Sequence, residues 1–344
     1  MNYRRLGDSG IKLSEIGLGG WLTFGNAVDV QQTRAVFDKA FELGINFFDT
    51  ANGYARGKCE EVWGDVLTDR RRDGYVLATK VYFPMGDGPN DRGLSRRHML
   101  QAVDASLSRL GTDWVDVLYL HREDETTPLE ETLAAIGHLV ERGKIHHFGV
   151  SNFRAWRVAR IVEMCRAMGI AQPIVCQPPY NAMSRAIETE LLPCCSQYGV
   201  GVVVYSPLAR GVLSGKYRPD VAPPEGSRAA RHDKRILQTE FRPESLGLAL
   251  QMVERAEARG LTPTAFALGW VWNNRLVHGV IAGPKTLEQW QGYLDAVGQP
   301  FDAEDEAFVG ALVAAGHAST PHYTDPQYPV MGRVPRTGTI EPPK

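Results

Sequence analysis

Short apolar runs alternate along the chain with longer stretches in which apolar residues recur every third or fourth position. The runs EIGLGG (15–20), NFFDT (46–50), YVLATK (75–80), WVDVLYLH (114–121), HHFGVSN (146–152), PIVCQP (173–178), GVVVYSP (201–207) and VHGVIAG (277–283) predict eight strands. Their Val, Ile, Leu and aromatic content suits a pleated, buried surface. Between them, DVQQTRAVFDKAFELG sets Val30, Val36, Phe37, Ala40 and Leu43 at helical spacing and stops at Gly44. SRRHMLQAVDASLSRLG starts at a Ser cap and ends before Gly111, and PLEETLAAIGHLVERG opens on proline and ends before Gly143. AWRVARIVEMCRAMG, AIETELLPCCSQYG and LEQWQGYLDAVG read the same way, with Pro193 expected to kink or shorten its helix.

Strands buried on both faces, each followed by a helix, imply a parallel sheet. Eight such units fit a closed (β/α)8 TIM barrel of the α/β class, with residues 1–344 as one domain. A doubly wound sheet is the rival, but GLGGWL lacks the third glycine of its phosphate turn. Residues 1–14 precede the repeat and turn at Gly7-Asp8-Ser9-Gly10. They predict a β-hairpin that could plug the bottom of the barrel. Residues 206–243 form a long Gly-, Pro- and Arg-rich loop after the seventh predicted strand, a length that points to a functional lid. Residues 316–344 are Pro-rich and read as an irregular tail over the barrel mouth or a neighbour.

Composition adds few constraints. The chain is 43% hydrophobic and 23% charged with a net charge of −2, giving no general attraction to nucleic acid or anionic membranes. The N-terminus lacks the apolar core of a secretory signal, and no run reaches the ~18 apolar residues of a membrane span. Five cysteines without a CxxC pair suit a reducing cytoplasm. Cys59 should open a helix, where a thiolate is favoured if the site is polar; the plainer reading is an ordinary thiol. Cys194 and Cys195 read as helix residues.

The strand ends carry the candidate chemistry: Gly20-Trp21, Asp49, Lys80, His121, Ser151-Asn152, Gln177, Tyr205-Ser206 and Gly283 to Lys285. Taken singly, Asp49 is a cap, Tyr54 a core or surface tyrosine, Lys80 a solvated charge and His121 the start of a polar loop. A barrel gathers all of them at one face. There an ammonium beside a phenol would lower the phenol's pKa, a carboxylate would keep the ammonium charged, and an imidazole would hold a carbonyl oxygen. Such a set polarises and protonates a carbonyl but needs a cofactor as hydride donor.

DTANGY with Lys80 and His121, followed by GVSNF, YSPLARGVLSGKY and AGPKTLEQ, resembles the aldo-keto reductase superfamily from about Leu6 to Val297. GGWLTFG and the Pro-Leu-Ala loop are most similar to the branch containing potassium-channel β subunits and bacterial reductases. The resemblance implies NAD(P)H-dependent carbonyl reduction with Tyr54 as proton donor, Lys80 tuning it, Asp49 holding Lys80 and His121 orienting the carbonyl. It implies further that Ser151, Asn152 and Gln177 hold the nicotinamide carboxamide and that Tyr205 stacks on the ring. Ser206, Pro207, Leu208, Gly211, Lys216 and Arg228 would strap the pyrophosphate, and Gly283, Lys285 and Gln289 would meet the adenosine end. Gly20, Trp21 and Asp49 would complete the cofactor contacts. Trp21, Tyr54, Tyr82, Phe83 and His121 would line the substrate pocket, with Arg122 beside them.

Relatives often carry Glu-Asn where this chain has Gly292 and Tyr293, of which Tyr293 could stack on adenine. Lys285 suits a 2′-phosphate, hence NADP(H) over NAD(H), unless a surface carboxylate claims it. Channel subunits carry Asn where this chain has His121, which favours a working reductase. A cofactor sensor with little turnover and a dehydrogenase working oxidatively are the alternatives. The expected partner is a small-molecule carbonyl; a homo-oligomer is possible, and neither nucleic acid nor membrane is expected.

Other motifs fail. GVLSGKY is too short for a P-loop and carries Tyr217 where Ser or Thr is needed. The basic run RAARHDKR (228–235) reads as solvated or phosphate-facing. No metal is expected: there is no HExxH spacing, and strand alternation points His146 and His147 to opposite faces.

Overall fold

The computed structural model describes residues 1–25 and 28–329. A two-stranded antiparallel hairpin comes first, β1 (Tyr3–Arg5) and β2 (Lys12–Ser14). Eight parallel strands then close a barrel: β3 (Ile16–Gly19), β4 (Phe47–Asp49), β5 (Val76–Val81), β6 (Val115–Leu120), β7 (Ile145–Ser151), β8 (Val175–Gln177), β9 (Gly201–Tyr205) and β10 (Gly279–Ala282). β10 pairs with both β3 and β9, which completes the ring. Each strand lies within the run that predicted it, apart from one-residue extensions of β5 and β7.

The outer helices are α1 (Val30–Glu42), α2 (Lys58–Leu67), α3 (Arg96–Leu110), α4 (Leu129–Glu141), α5 (Ala155–Met168), α6 (Leu191–Gln197), α7 (Lys234–Gln238), α8 (Pro243–Ala258), α9 (Pro263–Asn273), α10 (Leu287–Asp295) and α11 (Ala303–Leu312). Local chemistry sets their ends. The Asp29 carboxylate accepts from Gln32 N at 2.8 Å to start α1, and Gly111 in left-handed conformation (φ 62°) ends α3. Pro193 sits in the first turn of α6. The stretch expected to be one helix is a 3₁₀ turn at Ala186–Glu188 followed by only seven helical residues.

Two hydrophobic layers result. Outward strand residues such as Ile16, Phe48, Leu118 and Val204 pack under the helices. Inside the barrel, Phe47, Ala78, Val117, Tyr119, Val175, Val203 and Ile281 meet Leu6 and Leu13 of the hairpin, which therefore closes the bottom. Gly7 permits that docking. At φ 54°, any Cβ there would lie 2.3 Å from Gly199 O, and the neighbouring Asp8 N donates to the same oxygen at 2.8 Å.

The loop after β9 carries a 3₁₀ turn (Ala209–Ser214) and the short α7. Residues 316–329 have no helix or strand of their own beyond a bridge from Ala318 to Ser184, and they lie against the mouth. The expected tail beyond residue 329 lies outside the described residues. Among the described residues no helix is long and apolar enough to cross a membrane.

Candidate active site

Adjacent parallel strands end at similar height, so their last side chains share one cleft. Asp49 closes β4, Lys80 lies one residue from the end of β5, His121 follows β6, Ser151 closes β7, Gln177 closes β8 and Tyr205 closes β9. Lys80 Nζ donates to Asp49 Oδ1 and, at 2.9 Å, to Thr50 O; Gln177 Nε2 donates to Asp49 Oδ2 at 2.9 Å. Lys80 is 1% and Asp49 2% exposed, so the pair is sealed from water. After β4 the chain turns through Ala55 and Arg56, both at positive φ (50° and 52°). Tyr54, at the start of this turn, is brought over the pair, with Lys80 Nζ 5.0 Å from its ring centre.

Behind Lys80 lies a second buried carboxylate. Glu60 accepts from Thr79 Oγ1 at 2.5 Å and from Arg109 Nε at 2.8 Å, and it is 0% exposed. Cys59 is packed beneath Gly20, accepting from Thr50 Oγ1 at 3.3 Å. Burial pushes its thiol up to about 12, so the plain-thiol reading holds and the thiolate reading does not.

Burial also decides the other titrations. It pushes Asp49 up and Lys80 down, each opposed by attraction to the other. Tyr54 is held well above the ordinary phenol value by burial first and by the Asp49 charge second. This corrects the expectation that Lys80 lowers it. Asp49 neutralises the ammonium at contact distance, leaving desolvation to dominate. His121 is kept neutral by burial and then by the Lys80 charge, and its Nδ1 is buried without a partner.

The five expected pocket residues meet as an aromatic wall. Trp21 and Tyr54 lie 5.0 Å apart, Tyr54 and His121 5.7 Å, Phe83 and His121 4.8 Å, and Tyr82 and Phe83 5.4 Å, each pair edge to face. Trp21 is 47% and Phe83 38% exposed, so the wall faces open space. Two other clefts, of about 310 and 270 Å³, lie away from this face. One is bounded by Tyr180, Arg185 and Trp270; the other lies at the strand starts around Tyr75, Trp114 and His146. Neither collects an acid, a phenol, an ammonium and an imidazole.

Next to the wall lie the side chains expected to hold the nicotinamide. Asn152 Nδ2 donates to His121 O and to Ser151 Oγ, each at 3.0 Å, and its Oδ1 accepts from Tyr205 OH at 2.7 Å. Asn152 and Ser206 hold positive φ (62° and 56°), as do Ala209 and Arg210 further along, backbone strain concentrated beside the cleft. Pro207 and Leu208 are buried, and Gly211 (φ 100°) leaves room for Lys216, whose Nζ would lie 2.8 Å from a Cβ. Lys285 is lowered by desolvation and then by Arg231, Lys216 and Arg228, against a smaller opposing pull from Asp233; Lys216 is lowered by desolvation, Arg228 and Arg231. Four cations therefore converge. Only Arg228 has a carboxylate partner among the described residues, Asp233 at 3.0 Å. Such a cluster is a ready phosphate seat, and the residues present fit the cofactor's phosphates.

Arg231, outside the expected set, lies in RAARHDKR, the run read as either solvated or phosphate-facing. Gly283 lies at the exposed end of β10, and Gln289 is exposed, its Oε1 accepting from Lys285 N at 2.8 Å. Among the described residues no group of three His, Cys, Asp or Glu side chains could hold a metal ion.

Comparison with known proteins gives the family. Residues 15–313 match the profile described as the aldo/keto reductase family. The chain is 37% identical over 300 residues to a probable voltage-gated potassium channel subunit beta of Arabidopsis thaliana, covering 86% of this chain and 91% of that one. It is 39% identical over 295 residues to a putative subunit beta of Schizosaccharomyces pombe, covering 83% and 85%. It is 35% identical over 329 residues to the L-glyceraldehyde 3-phosphate reductase of Escherichia coli strain K12, covering 92% and 93%.

Proposed function

The chain belongs to the aldo/keto reductase family and is an oxidoreductase of that family; on that premise we propose that it reduces a small aldehyde or ketone with NADPH, Tyr54 delivering the proton. One observation carries the reading: Asp49, Lys80, Tyr54 and His121, all buried, converge at the C-terminal ends of the barrel strands.

When bound, NADP(H) supplies the hydride. The chain's own groups do the rest. The aromatic wall of Trp21, Tyr54, Phe83 and His121 holds an apolar face of the substrate. His121, neutral, donates one ring N–H hydrogen bond to the carbonyl oxygen without carrying charge. Tyr54, kept protonated by its buried setting, gives its proton to that oxygen. Lys80 stands beside the forming phenolate and stabilises it, while Asp49, fixed by Gln177, holds Lys80 in place. Gln177, Ser151, Asn152 and Tyr205 would seat the nicotinamide, and Lys216, Arg228, Arg231 and Lys285 the phosphates.

The four-cation cluster supports NADPH over NADH: among the described residues Lys285 forms no ion pair, and the carboxylate that acts on it, Asp233, is paired with Arg228. The name of the Escherichia coli relative makes short hydroxyaldehydes and their phosphate esters the first substrates to try. The names of the channel relatives support a second reading, a cofactor-binding regulatory subunit with little turnover. Assay of a carbonyl panel with NADPH and with NADH separates the two: multiple turnovers support the reductase, and tight NADPH binding without turnover supports the subunit.

A further inference from the structure

Residues 319–329 cross the barrel mouth and are held by four arginines from four different segments. Arg242, beside the start of α8, lies over the Tyr323 ring at 3.7 Å and donates from Nε to Thr320 Oγ1 at 2.7 Å. Arg235, on α7, grips Asp325 with two parallel hydrogen bonds of 3.0 and 2.7 Å. Arg122, next to His121, donates to Gln327 O at 3.3 Å and lies 5.6 Å from the Tyr328 ring centre. Arg154 donates to Pro329 O at 2.9 Å. Tyr323 OH also donates to Gln238 O at 3.0 Å, a second tie to α7.

α7 lies within the loop expected to strap the cofactor. Its N-cap, Asp233, accepts from Ile236 N at 3.0 Å and pairs with Arg228, one of the four converging cations. A continuous set of contacts thus runs from the tail to the phosphate seat: Asp325 to Arg235, through one turn of helix to Asp233, then to Arg228. The bidentate Asp325–Arg235 pair fixes α7 in orientation as well as in position. Its partial burial, with side chains 22% and 16% exposed, makes it less screened than a surface pair.

We propose that the C-terminal segment 319–329 is a latch on the cofactor loop, so that cofactor leaves only after Asp325 lets go of Arg235. The proposal rests on the reading of residues 206–243 as a strap over NADP(H). It makes the tail a determinant of cofactor residence time, apart from the chemical step at Tyr54. A group reaching the mouth with its own carboxylate or phosphate would compete with Asp325 for Arg235 and open the same latch.

The test uses the full chain with Asp325→Ala and the near-isosteric Asp325→Asn. NADPH release is followed by stopped-flow nucleotide fluorescence, and backbone hydrogen exchange of residues 227–240 is followed in cofactor-free protein. Both variants should release NADPH at least about fivefold faster than wild type. Both should exchange faster at 227–240, with the single-turnover reduction rate unchanged. Release at the wild-type rate, with or without faster exchange, overturns the latch. Failure of the wild-type chain to bind either nicotinamide dinucleotide overturns the functional reading instead, and the exchange measurement still reports whether the tail holds α7.

Discussion

The Lys80 ammonium stands 5.0 Å from the centre of the Tyr54 ring while its hydrogen bonds go to Asp49 and to the Thr50 carbonyl. Lys80 is thus committed to a buried counter-charge and still lies beside the phenol. Lys80→Met should leave Asp49 buried without its partner, lowering stability by about 3–5 kcal/mol in urea unfolding. The double variant Lys80→Met with Asp49→Leu should regain part of that loss. Both should be nearly inactive.

The direction of the Tyr54 shift sets the pH dependence. A phenol held above its ordinary value stays protonated through neutral pH and remains able to donate. Carbonyl reduction should therefore be flat across the neutral range and fall only in alkali. Oxidation of the matching alcohol, which needs the phenolate, should climb with pH. Steady-state rates in both directions from about pH 6 to 10 check this.

His121 gives a stability prediction of opposite origin. Burial holds it, and also His98, His147 and His278, below the ordinary imidazole value. As pH falls through about 6.5, the unfolded chain binds these protons before the folded chain does, so stability falls. Thermal melts should show the midpoint dropping between about pH 7 and 5, and His121→Asn should show a shallower drop.

The converging cations repel one another when no phosphate is present. Lys285→Ala should leave cofactor-free protein as stable as wild type or more stable, by a few tenths of a kcal/mol. The same change should weaken NADPH binding by about tenfold and NADH binding much less. Arg231→Ala should behave similarly. Calorimetric titration with both nucleotides, alongside melts, reads both signs.

Much of this was legible in the sequence, for reasons that vary by element. The barrel strands were readable because strands covered on both faces leave unbroken apolar runs, and their polar ends marked Asp49, Lys80 and His121. α9 was not readable: Ala265 to Val271 are all buried, so no polar stripe gives away the helical period. α8 adjoins the basic loop, and α11 buries only Asp305 and Val309, which leaves no apolar stripe even though its capping box and acidic first turn are helix-start signals. The sign of the Tyr54 shift was misjudged because a neighbouring charge can be guessed from residue order, whereas desolvation depends on the assembled cleft. Arg231 and the Arg235–Asp325 pair join residues whose proximity only the folded loop and tail create.

The central claim is that Tyr54 is the proton donor of a carbonyl reductase. Its most direct test is the loss of NADPH absorbance on mixing cofactor-loaded protein with short aldehydes, in wild type and Tyr54→Phe. Wild type should turn over repeatedly, and Tyr54→Phe should bind NADPH equally well yet reduce the aldehyde about 10²–10⁴-fold more slowly. Equal rates in the two proteins would contradict the account.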